Sequence, residues 1–163
     1  MLAKKLTMGI VLSLVATVAL AQLVEPAKVE ETKTEKYEHK DNMVQVTHIV
    51  PERVYGEYDL PPEQINFPEW ARRFVLNPDG TGYLEKYGEN KAPEHFEWGL
   101  VTEPDRLMVG EYTYTDNSGN RNTHRSYVLV IKWDSGSFAS GYIHNRDGRL
   151  ALNGPYDAPM YHQ

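Results

Sequence analysis

Residues 74–109, FVLNPDGTGYLEKYGENKAPEHFEWGLVTEPDRLMV, alternate short β-prone runs with clusters of turn-forming residues. Asp79-Gly80, Gly88 and Glu103-Pro104-Asp105 each interrupt such a run, because Gly and Asp tolerate the backbone angles of tight turns and Pro ends a strand. The connections are too short for helical crossovers, so consecutive strands should be antiparallel neighbours. This stretch therefore predicts an antiparallel sheet.

The same pattern continues to residue 153. It predicts seven strands in order, at 74–77, 81–87, 95–101, 106–115, 123–133, 137–145 and 149–153, with an eighth available at 43–49. An up-and-down meander of this size closes most economically into a barrel, since closure removes exposed strand edges. The predicted fold is all-β: an antiparallel meander of seven to eight strands that closes into a small barrel. A two-sheet β-sandwich is the alternative.

Alternation along the strands predicts which side chains face the interior. Strand 123–133 is apolar on both faces, because Val128 and Val130 lie opposite its other apolar residues, so we expect it to be covered on both sides. The expected interior residues are Phe96, Trp98, Leu100, Leu129, Ile131 and Trp133.

Residues 74–109 also resemble the lipocalin-like modules of exported bacterial proteins. Those modules show an Asn-x-Asp-Gly-Thr-Gly hairpin, an aromatic-x-Trp strand and an Asp-x-Leu-x-Val strand. The Gly-x-Trp that opens true lipocalins is missing here. The resemblance implies a lipocalin-like, calycin-type barrel that binds small apolar or aromatic molecules, or another protein. The residues that correspond are Asn77, Asp79, Gly80, Thr81, Gly82, Phe96, Trp98, Leu107 and Val109.

The N-terminus has the layout of a secretory signal peptide. Lys4 and Lys5 precede an uncharged, mostly apolar run at 6–20, and Ala19-Leu20-Ala21 places small residues before a cleavage site. A retained membrane anchor is the alternative, but a spanning helix needs roughly 20 apolar residues. We expect residues 1–21 to be removed, leaving an exported protein, periplasmic or secreted, without stable membrane insertion.

The remaining chain is expected to form one domain with a leader. Residues 22–42 alternate Glu and Lys with few bulky apolar groups, which predicts a disordered segment. Residues 43–163 then form the single barrel domain, with a Pro-rich loop at 55–69 and an extended tail at 154–163.

Composition excludes several classes of function. The formal net charge of −6 becomes −8 when Lys4 and Lys5 leave with the signal, whereas nucleic-acid binding needs clustered Lys and Arg. The absence of cysteine rules out disulfides and a cysteine nucleophile. Gly-x-Ser-x-Gly, P-loop and His-Glu-x-x-His motifs are also missing. We therefore predict no catalytic residue, no metal site and no cofactor.

His124 and His144 lie on strands joined at 134–136. A two-residue loop pairs Trp133 with Phe138 and points the two histidines to opposite faces. A three-residue loop would instead bring the histidines side by side. We predict the two-residue loop, because Trp133 and Phe138 then form a favourable cross-strand aromatic pair.

Aromatic side chains recur on successive predicted strands, where they could fill the core or line a binding site. Tyr and Trp offer a large contact area with one polar end, which suits binding. Tyr112 and Tyr114 share a face with Met108 and Gly110, and this stripe is the favoured part of a site. The candidate ligand-binding residues are Tyr83, Trp98, Tyr112, Tyr114, Tyr127, Trp133, Tyr142 and His144.

The leading functional prediction is an exported, non-enzymatic binding protein that holds a small apolar or aromatic ligand in its barrel. The alternative is a protein-interaction or inhibitor module that acts through loops and an aromatic surface. An open cavity would favour the first, and a filled barrel with aromatic residues outside would favour the second. A third possibility is an exported enzyme with a polar cluster of His144, Tyr127 and an acid.

Overall fold

The computed structural model describes residues 23–30, 35–62, 71–88, 91–116, 118–154 and 159–163. The predicted signal peptide at 1–21 lies outside these residues. Across the described ranges, no helix is long and apolar enough to cross a bilayer. A short 3-10 turn spans Glu52–Val54. The strands are β1 (Glu35–His39), β2 (Asn42–Thr47), β3 (Gly56–Asp59), β4 (Ala71–Leu76), β5 (Thr81–Lys86), β6 (Glu94–Glu103), β7 (Arg106–Leu107), β8 (Val109–Thr115), β9 (Arg121–Trp133), β10 (Phe138–Arg146), β11 (Arg149–Asn153) and β12 (Met160–His162).

Eight antiparallel strands close into a barrel, in the order β3-β4-β5-β6-β9-β10-β11-β12, with β12 paired to β3. Neighbours around the ring follow one another in sequence, except that β7 and β8 form an excursion between β6 and β9. The prediction of an all-β antiparallel barrel is confirmed, and the sandwich alternative is wrong. The predicted strand 106–115 and the available strand 43–49 correspond to β7–β8 and β2, which lie outside the ring, whereas β3 and β12 complete it.

The 13-residue strand β9 belongs to two parts of the sheet. Its second half pairs with β6 and closes the barrel, whereas its first half pairs with β8. In the β1–β2 hairpin, β2 pairs with β6 at Leu100 and Val101. The hairpin covers the outer side of β9, where Tyr37 packs with Val128 and Val130. The expectation that β9 is covered on both faces is confirmed.

The interior of the barrel is filled with apolar and aromatic side chains. Trp98 is almost fully buried, and its indole N–H donates to the carbonyl oxygens of Thr81 at 2.9 Å and Asn77 at 3.2 Å. The predicted interior set is confirmed, with Trp133 partly buried against the same core as Phe96, Trp98, Leu100, Leu129 and Ile131.

The structure differs from the disordered leader that we expected at 22–42. Val24 and Val29 are buried in the barrel core, and β1 forms a hairpin with β2. The Tyr127 hydroxyl donates to the Glu25 carbonyl oxygen at 2.8 Å and accepts the Glu25 N–H at 3.0 Å. A few apolar side chains suffice here because each is buried against the completed barrel, a tertiary contact that the local charge pattern does not reveal.

The predicted loop at 55–69 and the predicted tail at 154–163 each contain a barrel strand. β3 lies within the loop, and β12 lies within the tail between β11 and β3. Met160 of β12 is buried, and the His162 ring N–H donates to the Tyr55 carbonyl oxygen at 2.6 Å. Pro61 and Pro159 flank these strands without interrupting them, which is why the Pro-rich composition suggested loops. Residues 63–69 and 155–158 of the two predictions lie outside the described residues.

Two strand glycines provide a test of this packing. A Cβ at Gly82 would overlap the Phe96 ring and the Val75 carbonyl oxygen, whereas a Cβ at Gly110 would meet nothing within 4 Å. We expect Gly82→Ala to lower the free energy of unfolding by about 1–3 kcal/mol through overpacking. Gly110→Ala should leave it unchanged or raise it by up to about 1 kcal/mol, because the unfolded chain loses entropy. Urea denaturation measures both, and equal effects of the two variants would contradict the packing around Gly82.

Candidate functional site

A three-residue loop, Asp134–Gly136, joins β9 to β10, so the predicted two-residue loop is wrong. The Trp133 N–H donates to the Ser137 carbonyl oxygen at 2.9 Å, and the Gly136 N–H donates to the Trp133 carbonyl oxygen at 2.8 Å. Gly136 has a φ of 85°, the left-handed conformation that such a loop requires. Trp133 also finds an aromatic partner elsewhere, since its ring lies 5.3 Å from that of Phe96. The turn geometry thus outweighs the Trp133–Phe138 pair.

The observed register brings His124 and His144 together, with ring centroids 5.5 Å apart. Tyr112 lies 4.8 Å from His144 and stacks on Tyr142 at 5.2 Å. Tyr114 stacks on His124 at 5.5 Å. We call these five residues, Tyr112, Tyr114, His124, Tyr142 and His144, the outer aromatic cluster.

The outer aromatic cluster lies on the outside of the barrel. On β9, Tyr127 faces the core, and strand alternation points His124 the other way. Lys40 borders the cluster at one end, where its Nζ lies 3.4 Å from the Tyr142 hydroxyl. Arg146 borders the other end, with its guanidinium 4.3 Å from the centre of the Tyr114 ring.

His144 is the buried centre of the cluster, with no solvent exposure. Its Nε2–H donates to the Asn153 side-chain oxygen at 2.7 Å, which leaves Nδ1 without a hydrogen-bond partner among the described residues. Burial lowers the pKa of His144, the hydrogen bond to Asn153 opposes that shift, and nearby His124 and Arg146 add to it. Burial therefore favours the neutral form of the imidazole.

The structure separates the eight predicted site residues. Tyr112, Tyr114, Tyr142 and His144 meet in the outer aromatic cluster. Trp98 and Tyr127 are core residues, and Trp133 is partly buried against that core. Tyr83 lies elsewhere, 6.2 Å from the exposed ring of His95. The interior aromatic residues thus pack against one another in the core.

The prediction omitted two residues of this surface, His124 and Arg146. His124 was left out because the two-residue loop would have turned it away from His144. The signal that could have recovered it is Gly136, which favours the longer loop. Arg146 gave no local signal, since its ring contacts are with Tyr114 on β8 and Tyr161 on β12, which are distant in sequence.

Three polar residues lie on adjacent strands: Ser126 on β9, His144 on β10 and Asn153 on β11. These residue types match the nucleophile, base and orienting residue of a catalytic triad. Ser126 is fully buried, however, and its hydroxyl has no hydrogen-bond partner in the described part of the chain. A nucleophile needs contact with its base and with substrate. Tyr127, expected near His144 in an enzyme, points into the core instead. Within the described ranges, no three His, Asp or Glu side chains are grouped to hold a metal ion.

β8, which contributes Tyr112 and Tyr114, is an edge strand of the described sheet. The Asp116 N–H donates to the Asn120 carbonyl oxygen at 2.9 Å, and the register continues without a bulge. Asp116 and Asn120 are thus a hydrogen-bonded pair, and such pairs alternate along β8 with non-hydrogen-bonded ones. The backbone N–H and C=O groups of Glu111, Thr113 and Thr115 therefore point away from β9. β8 contains no Lys or Pro, two of the residues that commonly block strand addition, and Glu111 is its one charged residue.

No protein-family model matches the chain. No curated protein and no solved structure matches it either. The likeness to lipocalin-like modules therefore stays a prediction from residues 74–109.

Burial of neutral His144 predicts a pH dependence of stability. The pKa of His144 is lower in the folded state, so the unfolded chain binds more protons as pH falls below about 6.5. This contribution to stability is complete above pH 6.5 and is lost as pH falls toward the folded-state pKa, by at most about 1.4 kcal/mol per pH unit. His144→Phe should reduce the slope of unfolding free energy between pH 7.5 and 5, because it keeps an aromatic ring but removes the proton site.

Chemical denaturation at each pH measures this slope. His95→Phe, at an exposed position, is the control. This variant should retain the part of the slope of unfolding free energy against pH that comes from His144. The burial of His39 also lowers its pKa, so the informative quantity is the difference between the native chain and His144→Phe. Identical slopes for these two proteins would contradict the role of His144.

Proposed function

We propose that this protein is a non-enzymatic interaction module that binds an extended segment of another protein along β8 and the outer aromatic cluster. The observation that carries the proposal is the division of aromatic residues. Those inside the barrel pack into a filled core, whereas Tyr112, Tyr114 and Tyr142 gather on the outside around His144. This was the arrangement expected of a partner-binding module rather than of a ligand-holding barrel.

The chemistry of the cluster suits protein recognition. Tyr112, Tyr114, His124 and Tyr142 are half-buried, so each presents part of a rigid ring to solvent. Tyrosine and arginine are enriched in protein interfaces because they combine apolar contact area with a hydrogen-bonding end. Arg146, at the border of the cluster, is an arginine of this kind.

The edge of β8 provides the complementary backbone contacts. In strand addition, main-chain hydrogen bonds contribute affinity and alternate side chains contribute specificity. A segment paired to β8 through Glu111, Thr113 and Thr115 would place every second side chain beside Tyr112 and Tyr114. The edge and the cluster therefore form one continuous surface for an extended partner.

Site-specific photo-crosslinking tests the surface. A benzophenone amino acid replaces Tyr114 in one protein and Tyr83, a half-buried tyrosine on β5, in a matched control, and both proteins are irradiated in the source cells. We expect discrete adducts from position 114 at several times the yield from position 83. Equal yields at the two positions, or none at position 114, would exclude this surface.

The strand edge is tested separately with Thr113→Pro in the protein that has the crosslinker at position 114. The Thr113 N–H points away from β9, so proline removes a donor at the free edge without breaking the β8–β9 ladder. We expect the adducts to disappear while the melting temperature stays close to that of the parent. Thr113→Val keeps the edge N–H and should retain the adducts. If adducts persist in Thr113→Pro, strand addition to β8 is rejected. The outer aromatic cluster would then be the binding surface without the strand edge.

We also propose that the protein is exported, on the basis of the signal-like residues 1–21. Cleavage after Ala21 would give a mature chain beginning at Gln22. Intact-mass measurement of the protein from fractionated source cells tests this, and Ala21→Arg should block processing because the −1 position requires a small residue. A full-length mass in the native protein would contradict cleavage.

A further inference from the structure

A cleft of about 680 Å³ opens at the end of the barrel where β3 ends, β4 begins and β10 turns into β11. This size falls within the roughly 300–1,000 Å³ of typical small-molecule sites. Four of the chain's eight arginines line it, although the chain has a net charge of −6. They are Arg72, Arg73, Arg146 and Arg149.

One of these arginines already has anionic partners. Arg73 donates two hydrogen bonds to Asp59, at 2.6 and 3.0 Å, and Glu57 lies 3.3 Å away. The hydrogen bond to Asp59 raises the pKa of Arg73, so it stays a cation bound within the protein. Arg73 and Asp59 thus form a wall of the cleft rather than a binding group.

The other three arginines have no carboxylate within 4.0 Å in the described part of the chain. Arg149 donates to the His162 carbonyl oxygen at 3.0 Å. The Nε of Arg146 is buried and lacks a hydrogen-bond partner among the described residues. Leaving a buried charged donor unsatisfied is unfavourable. Among the side chains that line the cleft, the four arginines outnumber the two acids, Asp59 and Asp147.

Aromatic rings position these three guanidinium groups. Arg72 lies 5.9 Å from the centre of the Tyr87 ring, and Arg149 lies 5.3 Å from that of Tyr161. Arg146 lies between Tyr114 and Tyr161, at 4.3 and 6.0 Å. A guanidinium held against a ring keeps its N–H groups in one plane, where they can donate in pairs to a carboxylate or a phosphate.

We infer that this cleft binds a small molecule with a carboxylate or phosphate group, which accepts hydrogen bonds from Arg146, Arg72 and Arg149. The anion satisfies the buried Nε of Arg146 and balances the excess of arginines over acidic side chains. The site is separate from the β8 edge, and Arg146 is the residue that borders both surfaces. Binding in the cleft does not depend on the proposed partner.

Isothermal titration of the whole protein with citrate, inorganic phosphate and pyrophosphate, at low and at physiological ionic strength, tests the site. We expect saturable binding of at least one probe with a stoichiometry of one. Stronger binding of citrate identifies a carboxylate ligand, and stronger binding of phosphate or pyrophosphate identifies a phosphorylated one. No saturable binding of any of the three would overturn the inference.

Substitutions locate the site. Arg72→Ala and Arg146→Ala should each weaken binding about tenfold or more, the usual effect of losing a hydrogen bond to a charged group. Arg146→Lys should also weaken it, because lysine lacks the planar set of donors. Arg121→Ala removes the same charge from an exposed position outside the cleft and should leave affinity within about twofold.

Arg72 is exposed, so Arg72→Ala keeps the test valid even if an Arg146 variant is unstable. Equal losses in Arg72→Ala and Arg121→Ala would show a general charge effect and overturn the inference. The crosslinking at position 114 is measured separately with Arg72→Ala. Loss of anion binding with retained adducts would separate the two proposals.

Discussion

The three-residue turn between β9 and β10 is the constraint on which most of this structure depends. The hydrogen bonds from the Trp133 N–H to Ser137 and from the Gly136 N–H to Trp133, with Gly136 in a left-handed conformation, fix the pairing of β9 with β10. A shift of one residue would turn every side chain of β10 to the opposite face. His144 would then lie inside the barrel opposite Tyr127, and the outer aromatic cluster would not form.

Barrel closure and the outer surface are coupled through β9. The second half of β9 pairs with β6, and this pairing closes the barrel. The first half of β9 extends past β6 and pairs with β8. The same extension leaves β8 at an edge and places Tyr112 and Tyr114 beside His124. The outer aromatic cluster and the exposed edge of β8 in the described sheet are thus a consequence of one strand being longer than the barrel requires.

Two neighbouring surfaces with different chemistry meet at Arg146. On one side are stacked tyrosine and histidine rings around the buried His144. On the other side is an arginine-lined cleft, in which cations are held against Tyr87 and Tyr161. Ring faces and arginine N–H groups recognise different ligands, so the proposed polypeptide and the proposed small anion would use different parts of the module, with Arg146 shared between them.

The sequence by itself determined that residues 74 to 153 form antiparallel strands, that the chain closes into a barrel and which side chains face its interior, because alternation and turn residues act locally. The structure decided that the interior is filled, since the spacing of the aromatic residues fits a core as well as a cavity. Only the tertiary structure decided that segments 22–42, 55–69 and 154–163 contain residues that pair or pack with the barrel, since Val24, β3 and β12 are stabilised by distant partners. It also decided which aromatic residues meet outside, because register depends on a turn whose alternatives differ by one residue. The arginine cleft could not be predicted, as it joins side chains from β4, β10 and β11 that become neighbours only when the barrel closes.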